Sequence, residues 1–563
     1  MHFKSIYTCG LNSLFYLYCF VFLGACTPLS SSWYEEFYGD FVCEQKEVLL
    51  SVGLTTPCTT AGCGSIPYPS NTGHTTPDPI LYSPEVWSFV SEPNLHPMKV
   101  TVNVFNPGTS LGWVFLAPYG FSSDAMYGQP GSLIVDNNGN PIWFRPLSSP
   151  NLMNTDFRTQ TYNGSPVLTF WQGTLASPPT YTNAPAGSSE PGSCYYILDN
   201  TYAVIQTVSA QKGFISDIHE FLITPRNTAL LLSTKTVPMD LTPYGGPQDG
   251  YVQDFAIQEI DLATNKLLFF WNALDHIPLS DSYEPASDAV TSSNIWDVYH
   301  LNSIGLTDSV DDIIVSSRSM WTIYRINKPT GNIIWQLGGK QSSFTIGSGA
   351  SFSWQHDARF LPNNYVSMFD DNSDDESAPG PPSHGLILQL DLVNMIANLY
   401  LSYYHDPNII SGSQGNLQSL SNGNKFVGWG QQQYYSEYNG AGNTETDPAL
   451  NLLYDAQFPD TNYSYRAYRN DWVGTPFYPP SIGLISTNGQ VTVYASWNGS
   501  TETTQWQVLA GKKSKKLTPV ASAVRSGFET AIPVGVAGPY FQVQALNASG
   551  QVIGTSHVIK LGG

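Results

Sequence analysis

The chain has 563 residues, enough for a large buried core and more than one domain. Only 12% of them are charged and 13% are aromatic, with 48 glycines and 40 prolines, a mix that excludes long solvated helices and favours short strands joined by turns. Lys and Arg number 23 against 44 Asp and Glu, a net charge of −21, which excludes nucleic acid as a partner and suits an acidic, exported surface.

Residues 1–26 read as a signal peptide. Lys4 gives the positive start, Leu14 to Leu23 form the apolar segment, and Gly24-Ala25-Cys26 offer a cleavage point. The expected location is secreted, or held at the cell wall or membrane through this segment if it stays uncleaved. The C-terminus carries no hydrophobic tail, so no lipid anchor is expected there. Removing the leader leaves Cys43, Cys58, Cys63 and Cys194, an even number in an exported chain, which implies two disulfides with three pairings open. Asn163, Asn462, Asn498 and Asn547 each begin an Asn-x-Ser glycosylation sequon, the first weakened by Pro166.

Residues 27–85 are rich in Ser, Thr, Pro and Cys and read as an irregular, disulfide-pinned segment. From 86 to 478 a unit recurs. Ile257 to Asp261 then Asn265 to Trp271, and Ile323 to Asn327 then Thr330 to Trp335, are strands joined by Asn/Gly turns and closed by an aromatic residue. A second hairpin recurs beside them: His219 to Ile223 turns at Pro225-Arg226-Asn227 into Ala229 to Ser233, and His356 to Phe360 turns at Pro362-Asn363-Asn364 into Tyr365 to Phe369. Asn416 to Leu420 turns at Ser421 to Asn424 into Lys425 to Trp429 in the same way. Two hairpins per unit, at intervals of about 55 to 80 residues, predict an all-β fold built of β-propeller blades. A long β-sandwich is the plainer alternative, but it has no need of a histidine recurring at one register. Residues 479–563 alternate as sandwich strands do, in Val491 to Trp497, Thr504 to Val508 and Tyr540 to Asn547, and predict a small immunoglobulin- or fibronectin-III-like β-sandwich. Lys512, Lys513, Lys515 and Lys516 are expected at a solvated hairpin tip.

His219, His300 and His356 each open one of these inner strands, and Arg318 closes the run after the second. Inner strands of a propeller line its central channel, so the four side chains are expected to share one funnel. A lone histidine would most simply bond a backbone carbonyl; three at matching points call for a site. Three imidazoles can hold zinc or copper. A guanidinium beside them opposes a divalent cation and favours a tetrahedral oxyanion, which one neutral imidazole could attack at sulfur or phosphorus. In that case Arg318 and the other histidines would donate to the equatorial oxygens, and a second histidine would protonate the departing one. Asp370, Asp371, Asp374, Asp375 and Glu376 form an acidic run read as a solvated loop in preference to a calcium site. His276, His384 and His405 have no repeated context and read as structural.

The motifs Tyr299-His300-Leu301-Asn302-Ser303-Ile304, Val315-Ser316-Ser317-Arg318, Ile334 to Gly339 and Gln355-His356-Asp357-Ala358-Arg359-Phe360, in that order, closely resemble the fungal arylsulfotransferase (ASST) family. The likeness continues through Gly415-Asn416-Leu417, Asn422-Gly423-Asn424 and Tyr465 to Arg469 to Ser496-Trp497-Asn498-Gly499, covering roughly residues 85–510. A more distant similarity is to the bacterial periplasmic arylsulfate sulfotransferase, a six-bladed propeller. The resemblance implies six blades here and a sulfotransferase that moves a sulfuryl group from an aryl sulfate to a phenolic acceptor by a ping-pong route, with no cofactor and no nucleotide sulfate donor. It implies His356 as the residue carrying the transient sulfate, His219, His300 and Arg318 as catalytic partners that bind the sulfuryl group and assist the leaving phenoxide, and Asn302 as a substrate-binding residue. No glycine-rich phosphate loop is present, in keeping with such a route. The alternative is a non-catalytic propeller that binds a ligand or protein partner through the same funnel.

Overall fold

A computed structural model describes residues 79–562 apart from 121–124, 150–151, 175–191, 289–294, 376, 378 and 536–537. The leader, most of the Cys-rich segment, and Cys43, Cys58 and Cys63 lie outside the described residues. The fold is all-β, with four short 3-10 turns and no α-helix among the described residues. Most of it consists of antiparallel sheets in which consecutive strands are neighbours. Sheet two holds Met153–Tyr162, Ser165–Gly173, Cys194–Leu198 and Val204–Val208; sheet three holds Ile215–Ile223, Thr228–Met239, Gly250–Asp261 and Lys266–Asn272. Sheet four holds Leu301–Leu306, Asp312–Ser317, Thr322–Asn327 and Ile333–Gly338, and sheet five His356–Leu361, Tyr365–Asp370, His384–Asp391 and Ile396–Tyr404. The hairpins expected from the Asn-containing turns are present, with Asn227, Asn265, Asn363 and Asn364 in the left-handed region that asparagine tolerates.

Sheets one and six are completed from far along the chain. Tyr468–Asn470 forms the inner edge of sheet one beside Trp113–Leu116, Gly131–Val135 and Pro141–Pro146. Thr101–Phe105 in turn covers the outer edge of sheet six, whose own strands are Asn416–Ser419, Lys425–Gly428, Tyr434–Tyr438 and Leu452–Gln457. The middle strands are apolar on both faces because a neighbouring sheet covers each face. Phe115 and Ile134 of sheet one pack with Phe157 and Phe170 of sheet two, and Trp171 and Ile197 with Phe221 and Leu231 of sheet three. Leu232 and Ile257 meet Ile304 and Val315 of sheet four, and Ile314 and Ile323 meet Val366 and Met368 of sheet five. Phe369 and Tyr403 then meet Leu417 and Val427 of sheet six, whose Phe426 and Tyr454 return to Val114 and Leu133 of sheet one.

Two further sheets follow. Ser481–Thr487, Gln490–Ser496 and Glu529–Val534 face Lys516–Val524, Gln505–Lys513, Tyr540–Leu546 and Val552–Thr555 across a shared core of Val493, Trp506, Val508, Phe541 and Val543. The four lysines sit exposed at the Gln505–Lys513/Lys516–Val524 tip, as expected. These sheets dock on the preceding ones through a motif counted in the family resemblance. Asn498 accepts from the Phe144 amide at 2.8 Å and donates to the Phe144 carbonyl at 2.8 Å, and the Tyr202 hydroxyl donates to the Gly499 carbonyl at 2.7 Å. Gly499 has φ +93°, and a Cβ there would lie 2.4 Å from the Tyr202 ring, so both backbone and space require glycine.

The four sequon asparagines differ in setting: the side-chain nitrogen of Asn498 donates to Phe144, and that of Asn462, fully buried, donates to the Tyr127 carbonyl at 2.8 Å. A sequon records local sequence only, and these two asparagines fold inward. Asn163 is exposed and Asn547 is partly so.

Where the inner strands approach one another, the filling is charged. Arg466 contacts Asp156 at 2.8 Å and Glu220 at 3.3 Å and donates to the Asn302 carbonyl at 2.9 Å. Arg359 reaches Glu220 at 2.7 Å and the Ile304 carbonyl at 2.6 Å, and also pairs with Asp357. Arg158 pairs with Glu220 and, at 3.2 Å, with Asp156. Tyr468 donates to Asp156 at 2.8 Å, and Asp357 accepts from the Leu417 amide at 3.3 Å. Three guanidiniums and three carboxylates thus tie together the inner strands of all six sheets. Burial works to raise the Glu220 carboxyl, but Arg359, Arg158 and Arg466 outweigh it and bring it down to about 2. Removing one member leaves buried charge unpaired. Arg466→Met is therefore expected to cost about 3–5 kcal/mol in denaturant unfolding, whereas exposed Glu502→Gln should stay within about 0.5 kcal/mol. Equal, small effects for both would show that the network is not structural.

Candidate functional site

The local device that builds the site is a repeated bulge. Pairing between the inner strand and its neighbour slips between Thr155 and Arg158 in sheet two, Ser216 and Phe221 in sheet three, Leu301 and Ser303 in sheet four, and His356 and Arg359 in sheet five. A bulge frees residues from the ladder and re-aims their side chains. Asp156 and Asp357 take φ of 51° and 54° within their slips, and His300 takes 46° just before the first strand of sheet four. In sheets three and five the slip sends one residue to the site and its chain neighbour to the charged network, His219-Glu220 and His356-Asp357.

The three histidines are brought together. The His219 and His300 ring centroids lie 4.9 Å apart and those of His300 and His356 6.4 Å apart, both edge to face. Every one holds a carboxylate with Nδ1: His219 with Asp217, His300 with Asp297 at 2.5 Å, and His356 with Asp371 at 2.6 Å. A carboxylate on Nδ1 fixes the ring and leaves Nε2 as the working atom. His356 is 1% exposed, and its Nε2 accepts the Gln414 backbone amide at 3.2 Å. A backbone N–H can only donate, so Nε2 carries a lone pair and Nδ1 carries the proton. Gln414 is held in place by Tyr119, whose hydroxyl donates to its side-chain oxygen at 2.7 Å, and by Gly415, whose φ of +90° and position 2.6 Å from the Phe369 ring admit no side chain.

Arg318 joins them. Its backbone amide donates to the His300 carbonyl at 3.0 Å, and its guanidinium donates to the Gly412 carbonyl at 2.9 Å and lies 4.7 Å from the Trp354 ring centroid. Its Nε is buried without a hydrogen-bond partner, and Glu284 stands 3.9 Å away. Burial, then Arg318, His300, His219 and Arg466, hold the His356 imidazole well below its ordinary value. His300 is also lowered, chiefly by burial, with Asp297 opposing. Burial pushes Asp297 up, yet His300, His219 and Arg318 together leave it below the usual carboxylate range. The site therefore combines a neutral imidazole with fixed positive charge.

Asn302 is fully buried, and its amide nitrogen donates to the Gln355 carbonyl at 2.7 Å, which ties it to the residue before His356. The acidic run divides: Asp374 and Asp375 are exposed as read, but Asp370 and Asp371 are fully buried and Asp371 is the His356 partner. Burial raises Asp370 to about 7, with amide donors Ser353 and Asn372 opposing. Cys194 is buried at the start of its strand. His276, His384 and His405 lie apart, the first two stacked on Trp271 and Tyr404 and the third tilted against Tyr434. Sequence reasoning missed the functions of Asp217, Asp297, Asp371 and Gln414 and the whole charged network, although Asp156-x-Arg158 and Asp357-x-Arg359 repeat one pattern. Among the described residues no group of three or more His, Cys, Asp or Glu side chains is arranged to hold a metal ion.

A family profile described as arylsulfotransferase (ASST) matches residues 158–448, just over half of the chain, and includes the three histidines, Asn302 and Arg318. No curated protein matches the chain. Among solved structures, a protein of unknown function from Bacteroides caccae aligns at 11% identity over 61% of this chain and 94% of its own, with a TM-score of 0.34. TolB from Acinetobacter baumannii aligns at 10% identity over 64% and 68%, with a TM-score of 0.30. Overlaps this loose say nothing specific about the present chain.

The lowered pKa has a sign that can be read directly. An ordinary imidazole titrates near 6.5, so at about pH 6 it is mostly charged, whereas His356 should remain neutral with its proton on Nδ1. Ring 15N NMR of His356 is expected to show that tautomer at this pH. An imidazolium, or a proton on Nε2, would contradict the hydrogen-bond pattern.

Proposed function

The chain belongs to the arylsulfotransferase (ASST) family, and from that premise we propose that it transfers a sulfuryl group from an aryl sulfate to a phenolic acceptor through a sulfated His356, on a six-bladed β-propeller. The observation that carries this reading is a neutral imidazole, its Nε2 lone pair set by Asp371 and Gln414, beside Arg318 and two further histidines.

In the first half-reaction Nε2 of His356 attacks sulfur. The S–N bond forms as the S–O bond to the aryl group breaks, and the electron pair leaves on the phenoxide. Arg318 and the neighbouring imidazoles donate to the sulfuryl oxygens as charge shifts towards the leaving group. The general acid, His300 or His219, has to meet the donor as an imidazolium, with one proton on Nδ1 against its carboxylate and a second on Nε2, and the Nε2 proton passes to the departing oxygen. In the second half-reaction a phenol gives that proton back, its oxygen attacks sulfur, and the S–N bond breaks. The Gln414 amide, at the long end of hydrogen-bond distance, yields Nε2 to the incoming sulfur.

The same proposal includes secretion after loss of residues 1–26, disulfides among Cys43, Cys58, Cys63 and Cys194, glycans at Asn163 and Asn547, and an immunoglobulin- or fibronectin-III-like domain over 479–563. One observation favours the alternative of a non-catalytic ligand binder: Nε2 of His356 is buried and already hydrogen-bonded.

A chromogenic aryl sulfate separates the two. Wild type should release phenol in an acceptor-dependent manner, with the acid limb of the donor half-reaction below the pH ~6.5 of an ordinary imidazole. His356→Ala should lose about 10³-fold or more in rate. No acceptor-dependent release by wild type, or equal release by His356→Ala, overturns the transfer.

A further inference from the structure

Beside Arg318 the structure holds a row of aromatic rings that the chemistry above does not use. Trp354, directly before Gln355-His356, lies under the Arg318 guanidinium at 4.7 Å. Trp321 meets Trp354 at 5.3 Å and 70°, so the two planes form a corner. Tyr283 stacks on Trp321 at 3.7 Å and 8°, and the Lys340 ammonium stands 4.9 Å from the Tyr283 ring. All three rings are half-buried, each keeping part of its surface in solvent.

Packing alone does not account for the row. Trp321 and Trp354 have φ of 51° and 59°, the left-handed region, where a bulky side chain is a genuine outlier. Strain of this kind persists where ring placement matters and clusters at ligand sites. The row is also anchored to the site backbone: the Trp321 amide donates to the Arg318 carbonyl at 3.1 Å, and the Tyr283 amide to the Ser319 carbonyl at 2.8 Å. The Arg318 end of the row adjoins the histidines, and the Lys340 end lies away from them.

We propose that Trp354, Trp321 and Tyr283 form the subsite for the aryl group, and that the corner selects fused two-ring aryl sulfates and phenols over single-ring ones. This rests on the sulfuryl site lying at Arg318 and the histidines. A flat ring can stack on one tryptophan while its edge meets the other, the two favoured aromatic geometries. The row is longer than one ring, so a second fused ring gains contact where a single ring ends. In a ping-pong route donor and acceptor occupy this place in turn, so one preference governs both.

The test measures binding in the His356→Ala protein, expected to turn over at least about 10³-fold more slowly, by calorimetry with 2-naphthyl sulfate, phenyl sulfate and methyl sulfate. Tightest binding is expected for 2-naphthyl sulfate. Trp321→Leu, which leaves the Arg318 side chain untouched, should weaken 2-naphthyl sulfate by about 3- to 10-fold and leave methyl sulfate unchanged; Tyr283→Leu should act in the same direction. Equal affinity for 2-naphthyl and methyl sulfates, or equal weakening of both by Trp321→Leu, overturns the subsite. Ring-selective binding without turnover by wild type would uphold the subsite and sink the transfer reading. Turnover without ring selectivity would do the reverse.

Discussion

The structure depends on one buried network, in which Arg158, Arg359 and Arg466 are set among Asp156, Glu220 and Asp357 at the meeting point of the inner strands. Charges this deep are costly unless each is paired and its remaining donors and acceptors are satisfied. Here three of the spare guanidinium donors reach carbonyls of Phe221, Asn302 and Ile304, while Nε of Arg158 and of Arg466 is left without a hydrogen-bond partner. Those carbonyls can accept because they lie on strands at the inner edge of their sheets, whose outward-facing groups have no ladder partner. The buried charges and the exposed strand edges therefore satisfy each other, which an apolar filling would not do.

The site stands on this arrangement. Glu220 and Asp357 belong to the network, and their chain neighbours His219 and His356 belong to the site, so fixing one side of the bulge fixes the other. A second layer of carboxylates then orients each ring, and Arg318 adds a cation whose Nε has no protein partner. Burial and this positive field act in the same direction on His356, against the imidazolium. The outcome is an imidazole held neutral in surroundings suited to an anion, as the proposed attack on an anionic donor would require.

Much of this was legible in the sequence because it was periodic. The hairpins announced themselves through Asn-containing turns, and the histidines through their recurrence at one register. What escaped was long-range. Asp371 belongs to an acidic run whose other members are solvated, and only the fold carries it under His356. Gln414 acts through its backbone amide, which no side-chain pattern records. The amide bond from Asn302 to the Gln355 carbonyl likewise joins two strands that no single motif contains. Asn462 and Asn498 satisfy a three-residue rule while contacts with Tyr127 and Phe144, far off in the chain, bury them. The tryptophans at Trp321 and Trp354 look like ordinary core residues until their backbone angles are known.

The central claim is that sulfur rests on His356 between donor and acceptor. Incubating the protein with an aryl sulfate and no acceptor, then mapping the modification by peptide mass spectrometry at alkaline pH, tests it most directly. The account expects one sulfuryl group per chain, on His356, that disappears when a phenol is added. A protein that releases phenol while His356 stays unmodified, or that carries the group on another residue, would contradict it.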